Sequence, residues 1–202
     1  PFFGIILTSF RSFEDISVGN YWGWPEKFII LENYIKVFQE TSLLKYFFNS
    51  LVITIPSVIA TLFLSSLSGF SLAKHKFKGN FFIFAMFIAG NFVPAQILMI
   101  PVRDLTLKFG LYDTKLSLIL FHTAFQIGFC TFFLRGFIKE IPHELVESAR
   151  IDGASEFVVY SKIILPLIMP ALAALAVLEF TFIWNDYFWA LVLVQGEEAR
   201  PI

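Results

Sequence analysis

The chain has 202 residues, 57% hydrophobic and 18% aromatic with 27 Phe, but only 15% charged, and its net charge is −1. Soluble domains run at about 45–50% apolar and about 25% charged residues, so with a mean hydropathy of +0.73 a water-soluble globule is excluded and an integral membrane protein is expected. The near-neutral balance and the lack of a basic stripe exclude a nucleic-acid binder, and the one cysteine, Cys130, cannot form an intrachain disulfide and reads as a small core residue.

Pro1 to Phe10 is apolar but too short to cross a bilayer, and reads as the tail of a transmembrane helix at 1–10 whose start is absent. The sequence opens without Met or a basic leader and stops just after a polar turn. Both ends are therefore expected to be cut from a longer chain. Arg11 to Lys45 is polar and mixed, and its cluster Trp22-Gly23-Trp24-Pro25 suits a membrane–water interface. A short surface helix is expected over Glu32–Gln39.

Tyr46 to Ala73 holds no charge and predicts a span at 46–73, with bends allowed at Pro56 and Gly69. Lys74-His75-Lys76-Phe77-Lys78 is basic without an acid. A second span is expected at 80–101, interrupted by Gly90, Pro94 and Pro101, then a polar loop over Arg103–Lys115. The third span, 115–135, contains His122, Gln126 and Gly128, and the last, 165–195, contains Glu179 and Asp186. All must be helices, because lipid offers no partner to unpaired backbone groups, and long unbroken apolar runs do not fit barrel strands of alternating pattern. The fold class is an all-α polytopic transmembrane bundle, expected as a single domain over 1–202.

Between the last two spans lies a polar segment, 139–162, dense in charge. Pro142 can open a helix, Glu144 falls where the helix dipole favours a carboxylate, Gly153 can stop the helix in a left-handed conformation, and Ser155 can cap the next. Pro166 and Pro170 interrupt the apolar run after it. Pro142 to Asp152 spans roughly 16 Å, too short and too charged for a ~30 Å bilayer core, so it lies outside the membrane. On its residues alone it reads as a solvated connector or as a docking surface.

The segment resembles the EAA loop of ABC-importer permeases. Glu147-Ser148-Ala149, two residues, Asp152-Gly153-Ala154, then Leu165-Pro166 and Pro170 follow that pattern, with Ser148 in place of the first Ala. Asn33-Tyr34, Asn49-Ser50-Leu51, Gly69-Phe70-Ser71-Leu72-Ala73-Lys74, Leu134-Arg135-Gly136-Phe137 and Trp184-Asn185-Asp186 are similar to the smaller permease of maltose-type, type I carbohydrate importers. The resemblance implies a non-catalytic permease subunit in the plasma (inner) membrane of a prokaryote, carrying a sugar or polyol. It implies partners too: a second permease, two ATPase subunits that bind ATP and Mg, and an extracytoplasmic solute-binding protein. This chain would then hold no cofactor or metal of its own. It places the segment in the cytoplasm, which agrees with the basic Lys74–Lys78 loop on the same side. It assigns ATPase coupling to Glu147, Ser148, Ala149, Asp152, Gly153 and Ala154, with Glu147 pairing to a basic group of the ATPase.

Glu179 is a carboxylate near mid-span, and Asp186 lies seven residues on, hence on the same helical face. With Asn185 they form a candidate translocation path. Equally, Glu179 is protonated or bonded to a neighbouring helix and Asp186 sits at the outer interface. His122 reads as a packed, hydrogen-bonded histidine. His143-Glu144 lacks the second His of a zinc motif, and neither a Walker loop nor a serine nucleophile elbow is present. Two rival functions remain at this level: an ion- or proton-coupled secondary transporter using Glu179, and an intramembrane enzyme using His122 or Glu179.

Overall fold

A computed structural model describes residues 2–17, 19, 24 and 32–202. Trp22, Gly23 and Pro25 of the expected interfacial cluster lie outside the described residues. The chain divides into two units, residues 1–48 with 202, and residues 49–201. In the first unit, α1 (Phe2–Ser9) and α2 (Phe13–Ser17) precede α3 (Glu32–Glu40). The Asn33 side-chain amide donates to the carbonyls of Ser9 at 3.0 Å and Arg11 at 2.9 Å. It thereby closes the end of α1, where backbone acceptors lack helical partners. The Tyr34 hydroxyl meets Ser9 Oγ at 2.7 Å.

Helix α4 (Leu43–Lys74) continues into the second unit. Its 32 residues extend about 48 Å, well beyond the ~30 Å hydrocarbon core. Then come α5 (Asn80–Gly90), a 3-10 turn (Ala95–Leu98), α6 (Met99–Lys108) and α7 (Lys115–Glu140). The polar segment holds α8 (His143–Ile151) and α9 (Glu156–Val159), a π turn (Tyr160–Ile164) and α10 (Leu165–Leu167). Helices α11 (Met169–Trp184) and α12 (Phe188–Leu193) complete it.

Helices α4 and α7 are long and apolar enough to cross a membrane unaided. The other two expected spans are broken: Asn80–Gly90 meets Ala95–Lys108 at 93°, and Glu156–Leu167 meets Met169–Trp184 at 72°. Both breaks fall at prolines. Pro94, with no N–H to donate, flanks the first, and Pro170 occupies the first turn after Ile168 at the second. The polar loop expected from Arg103 is helical as far as Lys108, and α7 runs past residue 135 to Glu140.

The interior of α4 is a row of small polar residues: Ser50, Thr54, Ser57, Thr61, Ser65 and Ser66 are at most 3% exposed. Small residues let helix backbones approach where lipid supplies no hydrophobic drive. Ser65 Oγ donates across to the Ile127 carbonyl of α7 at 3.2 Å. At Gly69 a Cβ would lie 3.2 Å from the Arg135 backbone nitrogen, and at Gly128 only 2.8 Å from the Phe87 carbonyl oxygen of α5. Two apolar cores result. One gathers Phe70, Leu134, Ile138, Val146, Tyr160, Ile164 and Leu175; the other gathers Ile53, Leu118, Phe121, Trp189 and Leu193.

Because α5 and α7 touch backbone to backbone at Gly128, Gly128→Ala is expected to cost roughly 1–3 kcal/mol through overpacking. A thermal melt in detergent should show a fall of several degrees. Gly136→Ala, where a Cβ meets open space, should leave the midpoint unchanged.

Candidate functional site

Helix α8 is polar, and of its residues only Val146 is buried. Val146 is fully buried in the core formed by Phe70 of α4, Leu134 and Ile138 of α7 and Val159 of α9. Burying one Val side chain is worth roughly 1.5–3 kcal/mol, enough to seat this short helix. A second fastening comes from α4, where Lys74 Nζ donates to the Ile141 carbonyl at 2.5 Å, in the turn between α7 and α8.

The end of α8 matches the local chemistry of its residues. Gly153 has φ +83°, a left-handed conformation costing a residue with a Cβ roughly 1–2 kcal/mol. Ala154 N–H donates back to the Ala149 carbonyl at 2.9 Å, and Ser155 Oγ accepts from Val158 N–H at 3.4 Å. Pro142 stands at the N-cap of α8 rather than inside it.

A charge cluster then pins the turn. Arg150 Nε donates to Glu156 Oε1 at 2.7 Å and its Nη2 to Oε2 at 3.1 Å. Glu156 Oε2 also meets His75 Nε2 at 3.0 Å, in the loop after α4. The hydrogen bonds from Arg150 hold the Glu156 carboxyl below the usual carboxylate range, against the opposing effect of partial burial. The cluster joins both sides of Gly153 to the end of α4.

Of the residues expected to couple, Glu147, Ser148, Asp152 and Gly153 lie on the surface. Ala149 and Ala154 turn inward and pack against the apolar core, so their small size lets the chain close on itself. The outer face carries apolar side chains that the sequence pattern did not single out: Ile151 is 86% exposed and Phe157 74%. Their signal was present in the sequence, since both are large apolar residues inside a charged, non-spanning segment.

Of the three path residues, Glu179 separates from the other two. Glu179 is buried on the inner face of α11, where Cys130 Sγ donates to its Oε1 at 3.2 Å. Asn185 is exposed, its amide bonded to the Thr181 carbonyl at 2.7 Å. It lines an open depression with Ala174, Val177, Leu178 and Asp186, on a different side of α11 from Glu179. The common face fails because α11 ends at Trp184. Asp186 sits in the break before α12, where Oδ1 accepts from Trp189 N–H at 3.4 Å and Oδ2 lies 3.4 Å from His122 Nε2. That contact sets the buried His122 of α7 beside the break between α11 and α12. Among the described residues, no group of three or more His, Cys, Asp or Glu side chains could hold a metal.

Residues 64–200 match the profile of a family described as the binding-protein-dependent transport system inner membrane component. The arabinooligosaccharides transport system permease protein AraQ of Halalkalibacterium halodurans is 36% identical over 200 residues, covering 98% of this chain and 71% of that protein. The diacetylchitobiose uptake system permease protein NgcG of Streptomyces coelicolor is 29% identical, covering 98% and 65%. In a crystal structure of a bacterial ABC transporter involved in importing the acidic polysaccharide alginate, one chain superposes with a TM-score of 0.86 at 25% identity. That match covers 98% of this chain and 69% of the other.

Glu156→Gln should weaken the Arg150 pairing and loosen the turn. An exposed pair of this kind is worth about 0–1 kcal/mol, so overall stability should barely change, while amide hydrogen exchange over residues 147–156 should rise and that of α7 should not. A lowered carboxyl pKa means the contribution is complete above the ordinary carboxylate value of ~4.3 and fades as pH falls through the lowered one. In the unmodified chain, acid should therefore loosen the turn only below the ordinary carboxylate range.

Proposed function

Because the chain belongs to the family of binding-protein-dependent transport system inner membrane components, a permease subunit of an ABC importer whose ATPase and solute-binding protein are separate chains, we propose that it forms the translocation path for a carbohydrate and takes up mechanical work through α8. The carbohydrate reading is supported by the oligosaccharide permeases and the alginate importer it resembles. The coupling role is supported by one observation above all. A polar helix with Val146 as its one buried residue presents Glu147 and Ile151 outward from its seat on α4 and α7, and Phe157 of α9 is exposed as well.

In this reading residues 142–154 face the cytoplasm, and α8 docks in a groove of the ATPase. Glu147 meets a basic group there, with Ile151 and Phe157 as apolar anchors. Asp152 and Gly153 end the knob. Four membrane passages serve the single permease domain: α4, the bent pair α5–α6, α7, and the bent stretch from α10 to α12. A second permease completes the path, two ATPases bind ATP and Mg, and this chain binds neither. Asn185 and Asp186 line the path from the α11–α12 break. Glu179 braces α11 against α7 through Cys130. Ion-coupled transport through Glu179 finds no support, since the relatives are ABC permeases and the carboxylate is buried away from the open depression.

Gly153→Asp tests the coupling role. The variant should reach the membrane in normal amount, yet lose ATPase attachment and at least about tenfold of ATP-driven sugar uptake in vesicles, a factor matching ~1.4 kcal/mol. Full ATP-driven uptake by the variant would reject α8 as the coupling element. Uptake driven by a proton gradient without ATP would reject the importer reading itself.

A further inference from the structure

The ends of α4, α5 and α7 enclose a recess of about 770 Å³, roomy by the standard of small-molecule sites at ~300–1,000 Å³. Its charged lining includes Lys76, Arg135 and Lys139 and no carboxylate. Lys76 and Lys139 are exposed and make no hydrogen bond or ion pair with the described residues. Arg135 is fixed in place. Its guanidinium lies 3.7 Å from the Phe84 ring centroid and its Nε donates to the Leu72 carbonyl at 3.3 Å. Glu156, which meets the lining residue His75, is already held by Arg150. Three cations around one recess repel unless an anion joins them.

The other side of the recess is aromatic. Phe77, Phe81 and Phe82 border the recess, and the latter two are 81% and 66% exposed on the first turn of α5, a helix without a charged residue. A site with a cationic end and an aromatic, membrane-facing end fits an anion that carries a hydrocarbon tail. Neither inorganic phosphate nor an acidic peptide would use both ends.

We propose that this recess is a binding site for an anionic phospholipid of the surrounding leaflet, with Lys76, Arg135 and Lys139 on its phosphate and Phe81 and Phe82 along its acyl chains. The site goes beyond the coupling role and does not depend on it. It adjoins that role physically, because His75 both lines the recess and holds Glu156.

The test is native mass spectrometry of the assembled importer in detergent, titrated with phosphatidylglycerol or phosphatidylcholine. One phosphatidylglycerol per copy of this chain should be retained, and phosphatidylcholine should not. Lys76→Gln with Lys139→Gln should weaken retention on the order of thirtyfold, and either change alone about fivefold, as expected for two cations at a membrane surface. The single variants keep the test decisive if the double variant does not assemble. Lys162→Gln, on an exposed lysine outside the recess, should retain the lipid fully. Equal retention in the double variant, equal retention of the two lipids, or displacement by millimolar inorganic phosphate alone would each overturn the proposal, the last by showing a site for free phosphate.

Discussion

The burial of Val146 is the contact on which the polar segment depends. Remove it, and α8 has a charged surface, an exposed ion-pair cluster and one hydrogen bond from Lys74 to hold it. Exposed pairs are worth about 0–1 kcal/mol and a single net hydrogen bond about 0.5–1.5. Burial of one Val contributes roughly 1.5–3, and it does so in water, where the hydrophobic effect operates. The charge cluster has a different task. Arg150 and Glu156 flank Gly153, the one residue there whose left-handed backbone leaves the turn direction open, and the fork geometry of a bidentate pair fixes that direction.

Inside the membrane the balance differs. Lipid tails are as apolar as leucine, so packing and internal hydrogen bonds must hold helices together. The α4 row of Ser and Thr answers this requirement, and Gly69 and Gly128 mark where backbones come closest. Helix α7 touches α4 at Gly69, α5 at Gly128, and α11 through Cys130 and Glu179. Its far end carries His122 to Asp186. A single helix therefore sets the positions of the others, and α8 is seated on its final turns.

Local chemistry made much of this readable beforehand. Gly153, Ser155 and the length of α8 follow from cap and turn preferences that act within four residues. Asn33 was visible as a motif residue, but its bonds to Ser9 and Arg11 reach across more than 20 positions. Long-range pairing hid the rest. Nothing in the spacing of His122 and Asp186, or of Cys130 and Glu179, says that they meet. Hydropathy also could not show that two apolar runs are broken. Proline permits a bend without requiring one, and the 93° and 72° turns depend on what the flanking helices pack against. Nor could helical spacing show that α11 stops at Trp184, which separates Asn185 and Asp186 from the face of Glu179.

A rigid seat and a bent helix together define a route for force in the proposed coupling role. Helix α8 is tied to the ends of α4 and α7 by Val146, Lys74 and the His75–Glu156 contact, so pushing α8 moves those ends with it. Toward α11 the chain passes instead through the π turn at Tyr160–Ile164 and the 72° bend at Ile168. A π turn lacks the regular i to i−4 bonds of its neighbours and is a place where a helix yields. Yet Tyr160 is anchored there, its hydroxyl 2.6 Å from Ser66 Oγ and its ring 5.7 Å from Phe70. In that role, motion of α8 would pass directly to α4 and α7. It reaches α11 only as far as the π turn transmits it. A difference in stiffness between two exits from one knob is what turns a push into relative movement of helices, rather than displacement of the whole bundle.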